Sequence, residues 1–117
     1  MDRMGLIGRR PYRALSDEMT EHYSSGNWVV NAGHEKEFVQ RWIEFLDWTR
    51  ASVHGLRSAQ LIQDSDEPRH FVSFACWESS EAMKAWRALP DFVGKLGACR
   101  LLCEDFRGSS YMVVATV

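Results

Sequence analysis

FVSFACWESSEAMKAWRALPDF, residues 71–92, decides how the remaining chain is arranged, because it joins an apolar strand to a capped helix with almost nothing between them. Phe71, Val72, Phe74 and Trp77 are β-favouring residues in a short run, with small Ser73 and Ala75 between them, which predicts a strand. Ser79 or Ser80 can accept a backbone N–H as N-cap, and Glu81 is favourable in the first turn beside the positive end of the helix dipole. Ala82, Met83, Trp86 and Leu89 recur at helical spacing and give that helix one apolar face. Pro90 disfavours helical geometry at Leu89 and ends the run, while Asp91 is placed to cap a further helical segment starting near Phe92.

Upstream, residues 22–31 read as a strand with Trp28 and Val30 on one face and Val29 and Asn31 on the other. Ala32 and Gly33 break it. In residues 34–52, Phe38, Trp42, Phe45 and Thr49 fall within a narrow arc at helical periodicity, flanked by Val39, Ile43 and Leu46, with most charges directed away. Trp48 sits at the edge of that stripe. Residues 56–63 form a second strand, followed by a polar turn at residues 64–68. Downstream of Phe92 a helical segment weakened by Gly94 and Gly97 gives way to a strand; Gly108, Ser109 and Ser110 signal a loop, and residues 111–117, YMVVATV, read as the last strand.

This order is the split βαβ, or ferredoxin-like, α+β pattern: a four-stranded antiparallel sheet with its long helices on one face. The other face would carry Val29, Val72, Phe74 and Cys76, opposite Trp28 and Trp77. An exposed apolar sheet surface of this kind calls for a partner, and a two-fold homodimer stacking sheet on sheet would cover it.

The chain has 117 residues, which suits one domain with one core. Its 14 basic and 16 acidic residues argue against a nucleic-acid partner, which usually demands a strongly basic surface. No apolar run approaches a membrane span or the core of a signal peptide, so the expectation is a cytoplasmic protein without membrane contact. Three cysteines exclude a complete disulfide framework; Cys76 falls in a strand, and Cys99 and Cys103, four apart, on one helical segment. No zinc-like His or Cys pair accompanies them, so no metal is expected. Residues 1–20, with Arg3, Arg9, Arg10 and Arg13, read as an N-terminal arm, either laid across a partner subunit or disordered; residues 21–117 form the folded domain.

GNWVVNAGHEKEFVQRW, from Gly26, together with the organising stretch, resembles the antibiotic biosynthesis monooxygenase family of dimeric α/β barrels. The resemblance runs from about Tyr23 to the C-terminus and lies in the small residues before a Glu-rich helix entry, the Trp77-Glu78-Ser79 corner and the Pro90-Asp91-Phe92 break. It implies a homodimeric barrel with a pocket in each subunit between sheet and helices. Members include enzymes that oxidise polycyclic phenols with O2 and no bound cofactor, and relatives that degrade haem. The haem-degrading relatives use an Asn on the first strand, a Trp ending the third and a His one helix-length on. Here the Trp position is Trp77, but the His position falls near Arg87 and the Asn position near Gly26. Asn27 is one residue out of phase and faces the wrong side of the sheet. Haem degradation is therefore disfavoured.

Trp28, Trp42, Trp77 and Trp86 are expected to point between sheet and helices, either as a flat aromatic slot whose indole N–H groups meet a planar substrate or as plain core filling. A cofactor-free oxygenase must bind a phenol or enol, stabilise its anion and exclude water. Arg87 or Arg57 could hold the oxyanion, and His70 or His54 could act as base, since an imidazole titrates near neutrality. Asn31, Tyr23 and Tyr111 are weaker polar candidates. The implied function is oxygenation of a small aromatic or polyketide-like phenol or quinol by O2 without cofactor. Trp77, Arg87 and His70 would be catalytic, and Trp28, Trp42, Trp86, Arg57 and Asn31 would bind substrate. The alternative is a non-catalytic dimeric barrel that holds a hydrophobic or planar ligand.

Overall fold

The computed structural model describes residues 21–117; the arm expected at residues 1–20 lies outside them. The elements run β1 (His22–Val30), α1 (Glu35–Ser52), β2 (Leu56–Gln63), β3 (His70–Trp77), α2 (Ser80–Arg87), α3 (Phe92–Arg100) and β4 (Cys103–Met112). The strands form one antiparallel sheet in the order β2-β3-β1-β4. This is the ferredoxin-like α+β arrangement anticipated from the sequence.

Strand alternation sorts the side chains into two layers. Trp28 pairs with Phe71 and Phe106, and Ala75 with Ser24 and Ala59, so these residues share the face that meets the helices. The arc of α1 anticipated from its spacing, Phe38, Trp42, Phe45 and Thr49, is the buried set of that helix. Met83 and Trp86 are the buried residues of α2, whose N-terminus is capped by Ser79 Oγ accepting from the Ala82 N–H at 3.1 Å. Trp48 is half-buried at the stripe's edge, stacked 6.2 Å from Phe45 with the Lys95 ammonium over its ring. The turn after β2 is closed by Asp64 Oδ1, which accepts from the N–H groups of Asp66 and Glu67 at 2.9 and 3.1 Å.

Two local expectations need correction. The last strand is β4, so the Gly108-Ser109-Ser110 loop signal lies inside it, and residues 113–117 continue beyond the sheet. These small residues pair in register with Gly26, Ser25 and Ser24 of β1, and the ladder overrides their local turn preference. Cys103 opens β4 rather than sharing a helix with Cys99. The helix α3 is lightly anchored: Asp91 stands at its N-cap without a side-chain hydrogen bond, and Cys99 is its one buried residue.

On the opposite face Val29, Val72, Phe74 and Tyr23 are half-buried, while Ile62 and Tyr111 are 52% and 58% exposed. No strand or helix among the described residues covers this face.

Candidate functional site

Between the sheet and the helices lies a cavity of about 370 Å³. Its floor is unusually bare for a sheet face: Ser24 and Gly26 of β1, Ser73 and Ala75 of β3, and Gly108 and Ser110 of β4 contribute side chains no larger than a hydroxymethyl group. Trp28 and Phe106 close one end of that floor, with ring centroids 4.2 Å apart. The roof is aromatic and aliphatic, from Trp42, Phe45 and Leu46 of α1, Trp86 of α2, and Phe92 and Leu96 of α3. The cavity exists because large residues on the helices face small ones on the strands.

The indoles form walls, but most of their donors are already committed. Trp28 Nε1 donates to Ser73 Oγ at 3.0 Å, Trp86 Nε1 to Thr49 Oγ1 at 2.8 Å, and Trp77 Nε1 to Ser24 Oγ at 3.0 Å. Each pairing avoids the roughly 1–3 kcal/mol cost of a buried donor without a partner. Thr49 passes the bond on, donating its own hydroxyl to the Phe45 carbonyl at 2.9 Å. Among the described residues Trp42 is the indole of this group whose N–H has no such partner.

Among the described residues lining the cavity, Arg87 alone is charged. Its guanidinium donates to Ser110 Oγ at 2.7 Å and lies 5.9 Å from the centre of the Trp86 ring. Partial burial pulls its pKa below the usual arginine range, yet guanidinium remains cationic at neutral pH. The result is a cation held over an apolar space and paired with a hydroxyl rather than a carboxylate.

The structure divides the residues expected at the site. Trp28, Trp42, Trp86 and Arg87 line the cavity. Trp77 does not: it is fully buried, with its ring 4.9 Å from that of Trp86, which takes the cavity-facing place. The expectation that Trp77 and Arg87 share one pocket is thus corrected. His70 pairs with Val29 and so belongs to the open sheet face, where its Nδ1 lies 3.2 Å from Asp64 Oδ2 and its Nε2 2.7 Å from Asn27 Oδ1. It has the carboxylate partner that sequence alone did not reveal, but on the side away from the cavity. Arg57 lies at the register shift of β2, 3.6 Å from Glu21 Oε2. Asn31 follows β1 and donates its backbone N–H to the Leu102 carbonyl. His54 is exposed, and Tyr23 and Tyr111 face each other on the open side. Neither Arg57, Asn31 nor His54 lines the cavity.

The sequence reading missed the floor. Gly26 and Gly108 are cross-strand partners and both line the cavity. Glycine inside a strand marks a bulge or a close approach, but the loop preference of Gly108-Ser109-Ser110 hides that signal. None of the three cysteines lines the cavity, and burial pushes the Cys99 thiol up to about 12 and the Cys103 thiol to about 11. Among the described residues no group of three or more His, Cys, Asp or Glu could hold a metal ion, and no helix is long and apolar enough to cross a membrane.

Solved structures share the architecture. A point mutant of SnoaB, a cofactor-independent oxygenase from Streptomyces nogalater, has a TM-score of 0.76 at 20% identity, covering 87% of this chain and 98% of its own. SnoaB without the mutation gives 0.71 at 19%, with coverages of 84% and 96%. A protein from Shewanella oneidensis gives 0.71 at 16%, with 83% and 94%. At these identities the likeness shows the fold. No curated protein matches the sequence. The family model for antibiotic biosynthesis monooxygenase matches residues 26–94, more than half of the chain and the part that supplies the second half of β1, then α1, β2, β3, α2 and Arg87. The chain belongs to the antibiotic biosynthesis monooxygenase family.

Proposed function

We propose that this protein oxygenates a small phenolic or quinol-type aromatic with O2, using electrons supplied by the substrate. The observation that carries the proposal is Arg87: among the described residues the one charged side chain lining an aromatic cavity, bonded there to Ser110 rather than to a carboxylate. Such a cation favours the ionised form of a bound phenol, and the phenolate is the electron-rich species that reacts with oxygen. The apolar roof excludes water from the ring. SnoaB's description as a cofactor-independent oxygenase supports the same chemistry. For an anthrone, the balance is a ring CH2 converted to C=O, with one atom of O2 retained and the other leaving as water. No external reductant enters.

Oxygen uptake with a panel of hydroquinones and anthrones, without added flavin or metal, tests the proposal. One O2 consumed per substrate, abolished by Arg87→Leu, is the expected result. Tight binding of the panel with no uptake would favour the second reading, a non-catalytic barrel for planar ligands. That no His, Asp, Glu, Lys or Tyr is among the described lining residues speaks for that reading.

The apolar sheet face, which no strand or helix among the described residues covers, further supports a homodimer joined sheet to sheet. Light scattering at micromolar concentration is expected to give twice the mass of the chain; a well-folded monomer would overturn this.

A further inference from the structure

Three indole N–H groups in this fold end on hydroxyl oxygens, and the three hydroxyls are placed differently. An indole nitrogen only donates, so each hydroxyl must accept in that bond and keeps its own proton for a further partner. Thr49, which takes the Trp86 bond, hands its proton to the Phe45 carbonyl at 2.9 Å and is not a lining residue of the cavity. Ser24 and Ser73, which take the bonds of Trp77 and Trp28, have no acceptor for their protons among the described residues. Both line the cavity, and they are only 5% and 8% exposed. A buried hydroxyl proton without an acceptor is costly. The relay away from the cavity is complete, and the two that stand at it are open to what the cavity holds.

Their placement lets the two protons act on one atom. Ser24 pairs with Ala75, so Ser73 is its diagonal neighbour on β3, about 7–8 Å away at the backbone and nearer at the side chains. Two hydroxyls so spaced reach a single oxygen from two sides. The group that suits them is a carbonyl oxygen, which offers two lone pairs and brings no proton of its own. Ser110, which holds Arg87, lies directly opposite Ser24 on β4, so the cation and the hydroxyl pair bear on the same ligand.

We infer that Ser24 and Ser73 are ligand-binding residues that donate jointly to a carbonyl oxygen of the bound molecule, so that the cavity distinguishes a carbonyl from a methylene at that point. This rests on the reading of the cavity as a site for phenolic aromatics. The test is the affinity of 4-hydroxybenzophenone and of 4-benzylphenol, which has CH2 where the first has C=O, by equilibrium dialysis below the pKa of both phenols. The wild type is expected to prefer the ketone by about tenfold. Ser24→Ala and Ser73→Ala should each weaken the ketone by about fivefold or more and leave 4-benzylphenol within about twofold. Trp77→Phe breaks the same bond as Ser24→Ala but spares the Ser24 hydroxyl, so it should keep the preference. Should a serine variant not fold, Ser24→Ala with Trp77→Phe, or Ser73→Ala with Trp28→Phe, removes donor and acceptor together and carries the same comparison.

A wild type without the preference, or serine variants that weaken both ligands alike or neither, overturns the inference and leaves the phenolic reading standing. Loss of the preference in Trp77→Phe as in Ser24→Ala does the same, because the serine would then matter only through its bond to the indole. A wild type that binds neither ligand defeats the phenolic reading, and the inference falls with it.

Discussion

An exposed guanidinium that bonds a hydroxyl and, among the described residues, no carboxylate keeps its attraction for an incoming anion, which is the situation of Arg87 beside Ser110. Because the attraction exists only while the ligand is ionised, Arg87→Leu is expected to weaken phenol binding by about tenfold above the ligand's own pKa. Below that pKa the loss should be small. Ligand titration across pH checks this, and a loss independent of pH would show that the residue acts by packing. Trp77→Phe should behave in the opposite way. Its N–H bonds Ser24 in the core, so the variant should lose about 1–3 kcal/mol in thermal or denaturant unfolding while each folded molecule retains its affinity. The buried thiols give a third signature. Cys99 and Cys103 are raised from an ordinary 9.0 to about 12 and about 11, so their contribution to stability is full below pH 9 and declines as pH rises toward those values, where the unfolded chain ionises and the fold resists. Alkaline unfolding of Cys99→Ala beside the wild type measures it: the variant should lose less stability over that range.

At the scale of elements, legibility followed the strength of the local signal. The α1 helix could be read because four residues on one arc are its buried face, and the α2 helix because Ser79 supplies a real cap and Pro90 a real stop. The β4 strand could not, since Gly108, Ser109 and Ser110 carry a turn preference that is overruled by pairing with β1, residues distant in sequence. The candidate site was legible to the same degree. Helical periodicity fixes the side on which Trp42 and Trp86 stand, and both line the cavity with Arg87, which follows Trp86 outside the apolar stripe. The sheet floor is not legible because its defining property is missing bulk, which apolar patterning does not register, and Trp77 lies in the core rather than on the cavity wall, a distinction that facing the helices does not make. The turn joining β2 to β3 makes a prediction of its own. Backbone N–H groups of Asp66 and Glu67, together with His70, hold the Asp64 carboxyl below its ordinary 3.8, the Asp66 bond contributing most. A lowered pKa means that the turn is fully supported above pH 3.8 and loosens as pH falls through the folded-state value. Hydrogen exchange of the Asp66 and Glu67 amides from mildly acidic pH downward should show this protection lost in the wild type and already absent in Asp64→Ala.

Across the whole molecule rigidity is unevenly distributed. The central strands β1 and β3 are paired on both sides, and α1 is tied to α2 through Trp86, Thr49 and Phe45. These parts form one stiff body that includes the floor and most of the roof. The α3 helix, by contrast, buries only Cys99 and carries two glycines whose added Cβ atoms would meet nothing within 4 Å. It supplies Phe92 and Leu96 to the cavity roof. The glycines therefore serve no packing purpose, and each costs the helix about 1 kcal/mol relative to alanine. The consequence is kinetic: the softest part of the roof sets how fast a ligand enters and leaves, while the stiff remainder sets how tightly it is held. Gly94→Ala with Gly97→Ala should raise the unfolding temperature, leave the dissociation constant of a bound aromatic alcohol nearly unchanged, and slow its association and dissociation together in stopped-flow fluorescence. Unchanged rates in a stabilised variant would place the doorway elsewhere.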